Sequence, residues 1–266
     1  MIPWSQLTHL CVEWLEEPLW YILIRHCTNL QHGIFSLDRP GTRHPPEILT
    51  SNHPISIPYL VDLTIYIRSQ GCQPDFSRLV FPVLRRLQLL FGRKLWPGID
   101  IPHLWDGAFF SGTPTVSGSL TSLAVVGSIF FTEIQIQSLL GSLPSITTLR
   151  VSVVTNYSNF FLALTNVRLL PKLETLHCDI RAFGDADTNI PQLIASFVRS
   201  RWLISPPIST IARLRHLTLK FPPGWEYVDR VHQALEQFRN GGLCLVVDEV
   251  ADQFQDLQEM MTFEPQ

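Results

Sequence analysis

The chain of 266 residues contains 45% hydrophobic and 16% charged residues and carries a formal net charge of −3 at pH 7. This composition favours a folded core over disorder, and it lacks the basic patches of nucleic-acid-binding proteins. No apolar stretch approaches the ~20 residues of a membrane-spanning helix, and the first residues have no signal-peptide pattern. We therefore expect an intracellular protein, cytoplasmic or nuclear, that binds neither nucleic acid nor membranes.

A short apolar pattern, apolar-x-x-Leu-x-apolar, recurs along the chain. In chain order it reads LTHLCV at 7–12, LVDLTI at 60–65, LRRLQL at 84–89, LTSLAV at 120–125, ITTLRV at 146–151, LETLHC at 173–178 and LRHLTL at 214–219. A degraded copy, LQHGIF, lies at 30–35, and a last apolar strand begins at Leu243. Successive copies start 23 to 41 residues apart, a spacing that indicates leucine-rich repeats with insertions.

Each copy predicts a β-strand that cannot bury its own apolar side. Apolar residues two positions apart lie on the same side of a strand, so the copies must stack to bury a continuous stripe. We predict strands near 8–13, 31–36, 61–66, 85–90, 121–126, 147–152, 174–179, 215–220 and 243–248. The pattern predicts an α/β fold over 1–250, an irregular leucine-rich-repeat solenoid (horseshoe). Its parallel β-sheet would form the concave face, with helices and loops on the convex face. Irregularity is expected because the asparagine that follows the strand in regular repeats is missing.

Helical periodicity occupies several of the segments between these strands. It predicts helices at 132–143, 158–170, 190–202 and 226–239, each with one apolar side that we interpret as core. Thr132 and Gln135 match a capping box, and Gly241-Gly242 should end the last helix. Two segments lack such patterns, a long Pro- and Gly-rich insertion at 93–118 and an acidic C-terminal tail at 251–266.

Two arginines, Arg199 and Arg201, lie near the end of the predicted helix that finishes at Trp202. Two interpretations are open for them. Their charges could stabilise the negative end of the helix dipole, or they could pack against Trp202.

No motif indicates catalysis, a cofactor or a metal site. The patterns GxSxG, HExxH and GxGxxG are absent, and the glycines of 107–113 lack the lysine of a phosphate-binding loop. The five cysteines form no CxxC pair and are interpreted as buried free thiols of a reducing compartment. His9, His177 and His216 occupy outward strand positions, but no pair has the spacing of metal ligands. We predict no enzyme activity, no cofactor and no metal.

The outward side of the predicted sheet is the best candidate for a functional surface. Residues that flank the core positions of each repeat point away from the core, and leucine-rich solenoids use such extended concave surfaces for binding. Arginine and tyrosine are common interface anchors. The candidate protein-binding residues are Asp62, Thr64, Tyr66, Arg86, Gln88, Thr148, Arg150, Ser152, Thr175, His177, Asp179, His216, Thr218 and Lys220.

The order of several motifs resembles the leucine-rich-repeat region of F-box proteins that are abundant in mushroom-forming fungi. The similar passages are PWSQLTHL at 3–10, GSLTSLAVVG at 118–127, LLGSLPSITTLRV at 139–151, LLPKLETLHCD at 169–179, FVRSRW at 197–202 and ALEQFRNGGLCLVV at 234–247. The resemblance implies the substrate-recognition region of an F-box-type (SCF) ubiquitin-ligase subunit, which binds an unknown target protein and performs no chemistry. The Skp adaptor and the cullin are implied partners only if an F-box lies upstream.

The F-box itself is not found in this sequence. HPPEIL at 44–49 is similar to the opening of an F-box, but Pro54 and Pro58 follow it and break the helix that an F-box needs. Two alternatives stay open. One is a repeat-only binding scaffold unrelated to ubiquitin. The other is an enzyme of unrecognised type, which the open surfaces of solenoids disfavour.

Overall fold

The computed structural model describes residues 3–39, 55–68, 72, 76, 79–92, 118–180, 189–202 and 211–249. Its main element is a nine-stranded parallel sheet, and two short strands pair separately. In chain order the strands are β1 (His9–Glu16), β2 (His32–Arg39), β3 (Ile55–Ser56), β4 (Asp62–Ile67), β5 (Leu79–Val80), β6 (Arg86–Phe91), β7 (Ser122–Phe131), β8 (Thr148–Thr155), β9 (Thr175–Asp179), β10 (His216–Phe221) and β11 (Cys244–Glu249). The short pair is β3 with β5.

The strand order in the large sheet follows the order of the chain. It runs β1-β2-β4-β6-β7-β8-β9-β10-β11, and every neighbouring pair is parallel. Each strand of this sheet therefore pairs with the strands that precede and follow it, and every connection returns to the same end of the sheet. The prediction of an α/β fold with a large parallel sheet is confirmed.

From β4 to β10, the leucine of each repeat occupies one continuous row across the sheet. Pairing in register joins the row from strand to strand, and all its members here are buried. The row contains Leu63, Leu87, Leu123, Leu149, Leu176 and Leu217. A second buried row lies two residues further along each strand and contains Ile65, Leu89, Val125, Val151, Cys178 and Leu219. Stacking thus removes from water the apolar side that each strand alone would expose, which is the dominant favourable term in folding.

Gly33 interrupts the leucine row in the degraded second copy, and Phe35 compensates for it. Gly33 pairs with Leu63 at the position where the other copies carry leucine. A Cβ atom on Gly33 would lie 2.6 Å from Cε2 of Phe35. The buried ring of Phe35 therefore occupies the space of the missing side chain, and it packs edge-on against Trp20 with the centroids 6.2 Å apart.

Five α-helices belong to the described ranges. They are α1 (Glu17–His26), α2 (Glu133–Gly141), α3 (Tyr157–Thr165), α4 (Ile190–Trp202) and α5 (Val228–Asn240). The last four occupy the predicted sites, and each packs against its neighbour in chain order. The sequence analysis did not predict α1, whose buried residues join the same core as the strands. It also placed the end of α3 too late, because Asn166 accepts a hydrogen bond from the Arg168 amide and turns the chain.

The predicted caps of α2 and α5 are confirmed. The Thr132 amide donates to Gln135 Oε1 at 2.8 Å, and the Gln135 amide donates back to Thr132 Oγ1 at 3.4 Å. At the end of α5, the amide of Leu243 donates to the carbonyl of Phe238, and Gly242 has a φ of +101°. This Schellman arrangement needs the left-handed conformation that glycine adopts without strain.

Arg199 and Arg201 both lie in the last turn of α4, as the interpretation from the helix dipole requires, but Arg201 is also buried. Its side chain is 0% exposed, and Nη1 donates to the carbonyl oxygen of Leu170 at 2.7 Å. Burial lowers the pKa of Arg201 to about 10. Trp202 packs instead against Arg213, whose guanidinium carbon lies 3.5 Å from the ring centroid, and against Phe238. Arg201 therefore joins α4 to the turn that precedes β9.

Several predictions from the sequence fall on residues outside the described ranges. They concern the insertion at 93–118 (apart from Gly118), the acidic tail at 251–266, the HPPEIL segment at 44–49 and the glycines of 107–113.

Candidate functional site

One side of the nine-stranded sheet belongs to the core and the other side carries polar residues; we call the second side the polar face. All fourteen predicted binding residues lie on it, because they alternate with the buried rows. The pairing arranges them in three rows. The first contains Asp62, Arg86, Thr148, Thr175 and His216, the second Thr64, Gln88, Arg150, His177 and Thr218, and the third Tyr66, Ser152, Asp179 and Lys220.

Not all of the polar face is accessible. Ser152 is 0% exposed and Asp179 is 5% exposed, so neither side chain offers surface to a partner. Leu90, Ala124 and Val126 lie in the same rows on the central strands and are buried as well. In the second and third rows the accessible polar residues are therefore divided by the middle of the sheet, whereas the first row continues across it through the partly exposed Ser122 and Thr148. Strand alternation alone could not predict this burial, since it fixes only the side on which a residue lies.

The first group, the Asp62 cluster, consists of His9, His32, Asp62 and Arg86, which share one row on four adjacent strands. Asp62 accepts hydrogen bonds from Arg86 Nε at 2.5 Å and Nη2 at 2.6 Å. His32 Nδ1 lies 2.7 Å from the second carboxylate oxygen, and the His9 ring stacks on His32 at 4.5 Å. The hydrogen bond to Asp62 raises the pKa of Arg86. Asp62 and Arg86 therefore largely satisfy each other.

The second group, the Arg150 cluster, consists of Arg150, His177, Asp179, His216 and Lys220. Arg150 Nη2 lies 3.9 Å from the buried carboxylate of Asp179. Burial lowers the pKa of His177, and the positive charge of Arg150 lowers it further. His216 and Lys220 act in the same direction, whereas Asp179 raises this pKa. The cluster presents several basic side chains around His177, whose neutral form is favoured because burial and the neighbouring positive charges lower its pKa.

Replacing His177 by glutamine is expected to reduce the loss of stability in acid. The pKa of His177 is lower in the folded than in the unfolded chain. Below the ordinary value of 6.5 the unfolded chain therefore takes up this proton first, and the free energy of unfolding falls. Urea unfolding at several pH values between 7.5 and 5 measures the effect. The neighbouring variant Thr218→Val should keep the wild-type pH dependence, and an unchanged dependence in His177→Gln would contradict the prediction.

A third group, the Trp14 cluster, consists of Trp14, Tyr66 and Arg68, and sequence reasoning identified only Tyr66. Among the described residues Trp14 is the one non-glycine residue with a positive φ, +61°. It lies where the register of β1 shifts between Val12 and Leu15, and it is 63% exposed. The guanidinium carbon of Arg68 lies 4.3 Å from the Trp14 ring centroid and 4.8 Å from that of Tyr66. No spacing in the sequence signals this bulge.

Within the described ranges, no group of three or more histidine, cysteine, aspartate or glutamate side chains is arranged so that it could hold a metal ion. The five cysteines are free thiols, but the prediction that they are buried holds only for Cys27, Cys72 and Cys178, whereas Cys11 and Cys244 are exposed at the two ends of the described sheet. Burial raises the pKa of Cys72 to about 12 and raises that of Cys178, which leaves both thiols protonated and unreactive. On the helix side, a cleft of about 260 Å³ between α2 and α3 is smaller than ordinary ligand pockets.

Comparison with known proteins found neither a matching family model nor a matching curated protein. Of the helices in the described ranges, none combines the length and hydrophobicity needed to cross a bilayer. The function must therefore be inferred from the polar face and from the sequence.

Proposed function

We propose that the chain is a protein-binding module built as a leucine-rich-repeat solenoid, with the polar face as its concave, partner-binding side. The observation that carries this proposal is the register of polar residues across nine parallel strands that follow the chain order. With strands ~4.8 Å apart, each row extends for about 40 Å. A surface of that length suits an extended protein segment better than a small molecule.

The distribution of side chains on the polar face also favours protein binding. Its accessible side chains include arginine, histidine, tyrosine and tryptophan. Arginine, tyrosine and tryptophan are the residues that contribute most of the binding energy at many protein interfaces. The buried apolar residues interrupt only the second and third rows, so a partner segment would find accessible polar side chains along the whole first row. Catalysis would instead require groups that converge on one enclosed site, whereas the accessible polar side chains are spread along the rows of the sheet.

Within this function we propose that the module selects target proteins for an F-box-type ubiquitin ligase. The support is the ordered resemblance of motifs from 3–10 to 234–247. In this scheme the Skp adaptor and the cullin bind an F-box elsewhere in the full-length protein, and the polar face binds the target. A repeat-only scaffold would use the same surface without these partners.

Blocking the polar face is expected to weaken partner binding at least tenfold. In the blocked variant, Thr148→Arg and His216→Glu place long or charged side chains in the first row. The matched control, His232→Glu with Gln233→Arg, makes equivalent changes at exposed positions of α5. Tagged full-length protein is purified from a mushroom-forming fungus, and the partners are quantified by mass spectrometry.

A protein recovered with wild type and control but lost with the blocked variant supports the binding function. Equal recovery with all three variants would contradict it. The ubiquitin-ligase role requires in addition that the Skp adaptor co-purifies and that the bound target accumulates when the gene is deleted. Target binding without either result would instead establish the repeat-only scaffold.

A further inference from the structure

The charge of Arg68 is not neutralised by the described residues, unlike that of the other arginines on the polar face. Arg86 forms a two-point ion pair with Asp62, and Arg150 lies 3.9 Å from the carboxylate of Asp179. Arg68 forms no ion pair within the ranges that the structure describes, and its buried Nε donates to no acceptor there. A guanidinium has five N–H donors and no acceptor capacity. Within the described residues Arg68 is therefore a cation without a carboxylate partner, and its Nε donor is unused.

The Trp14 cluster holds this cation in place. The guanidinium contacts the rings of Trp14 and Tyr66, which come from different strands and approach within 4.3 and 4.8 Å. Contacts with ring faces leave the edge of the planar group for hydrogen bonding. A planar carboxylate matches such an edge with two parallel N–H···O bonds. Because the side chain is ordered before binding, little entropy is lost when a ligand arrives.

Two independent observations indicate that the Trp14 cluster is built for a ligand. Trp14 keeps a positive φ at a bulge, a conformation that is strained for a bulky residue and that clusters at binding sites. Ser36 pairs with Tyr66 in register, is 4% exposed, and its hydroxyl has no hydrogen-bond partner in the described structure. Unpartnered buried polar groups are uncommon and require an explanation.

We propose that the Trp14 cluster binds an aspartate or glutamate side chain of the extended partner segment on the polar face. This inference rests on the proposed protein-binding function and specifies the chemistry of its partner. A single uncompensated guanidinium suits a carboxylate with one charge. A phosphate dianion fits less well, because the negative charge of Asp38 on the neighbouring strand β2 repels a doubly charged group more strongly than a carboxylate with one charge. The exposed Trp14 ring supplies the apolar contact beside this ion pair.

A phage-displayed library of random 12-residue peptides, selected on the purified full chain, tests the proposal. The enriched peptides should share an Asp or Glu at a fixed position. The best one is synthesised with an amidated C-terminus and a fluorescent label, and its affinity is measured by anisotropy. Arg68→Gln and Trp14→Gly should each weaken binding at least tenfold. Arg213→Gln, which removes another arginine from a tryptophan ring at Trp202, should leave the affinity unchanged.

The decisive measurement is the coupling energy between Arg68 of the protein and the acidic residue of the peptide. Changing the acidic peptide residue to its amide should weaken binding to wild type at least tenfold and to Arg68→Gln hardly at all. Thermal unfolding checks that Arg68→Gln and Trp14→Gly are folded, and glycine accepts the φ of position 14. If folding fails in one variant, the coupling measured in the other decides.

The remaining outcomes separate this inference from the function on which it rests. Binding that is lost with Thr148→Arg but kept with Arg68→Gln would overturn the inference and leave the protein-binding function intact. The same holds for peptides that bind only through a free C-terminal carboxylate and lose affinity when amidated. A library that yields no ligand for the polar face would count against both.

Discussion

Replacing Gly127 by alanine is expected to destabilise the protein by about 3 kcal/mol or more, from the sum of backbone strain and steric overlap. Gly127 lies in β7 with a φ of +145°, a conformation that residues with a Cβ rarely adopt. It pairs with Phe91 of β6, and an added Cβ would lie 2.5 Å from the Phe91 Cβ and closer still to its carbonyl oxygen. Because backbone atoms of a central strand form the obstacle, no side-chain rotation relieves the overlap.

Urea unfolding followed by tryptophan fluorescence measures this effect, and a second glycine separates its two causes. Gly224 also has a positive φ, +72°, but a Cβ there would meet no atom within 4 Å. Gly224→Ala should therefore show strain alone and lose only about 1 kcal/mol. If Gly127→Ala loses no more than Gly224→Ala, the close approach of β6 and β7 is not the constraint that the structure indicates.

Replacing Arg201 by alanine is expected to lower the free energy of unfolding by about 2–4 kcal/mol, because it creates a cavity and leaves the Leu170 carbonyl without its donor. Methionine should cost much less. It fills most of the volume and removes a charge whose pKa, lowered to about 10, reports the penalty of burial. Replacing a buried charge by an apolar group of similar size is often neutral or even stabilising.

The comparison of these variants with Arg199→Ala identifies what Arg201 contributes. Arg199 is exposed in the same helical turn, so its removal should change stability by less than about 0.5 kcal/mol. All three proteins can be compared by urea unfolding under identical conditions. Equal losses for Arg201→Met and Arg201→Ala would show that the hydrogen bond to Leu170 matters more than packing and burial of charge.

The parallel sheet and the side on which each residue lies could be predicted from the sequence, and the physical reason is the two-residue period of a strand. Once Leu63, Leu87 and Leu123 are aligned, stacking places every residue between them in register. The rows of the polar face follow from the same alignment. His32 could have been included as well, because it occupies the position of Asp62 in the degraded copy.

Other features depend on contacts between distant segments, which the spacing of residues in the sequence does not indicate. The segment of α1 begins with an almost continuous apolar run, PLWYILI, in which a helical stripe cannot be recognised. In the folded chain this segment is helical, and its Trp20 is buried against the rings of Phe35 and Phe76. The burial of Ser152, the bulge at Trp14 and the burial of Arg201 likewise arise from the way that distant segments approach one another.

The strand order of the sheet has a mechanical consequence. Among the described strands of the large sheet, each is bonded to the strands that precede and follow it in that sheet, and β1 and β11 lie at the two ends of this order. Tension between those ends would detach one strand at a time. Each detached strand would expose the backbone and the apolar side chains of the next strand. Such a molecule yields gradually from its extremities, whereas a sheet with interleaved strands must rupture as a whole.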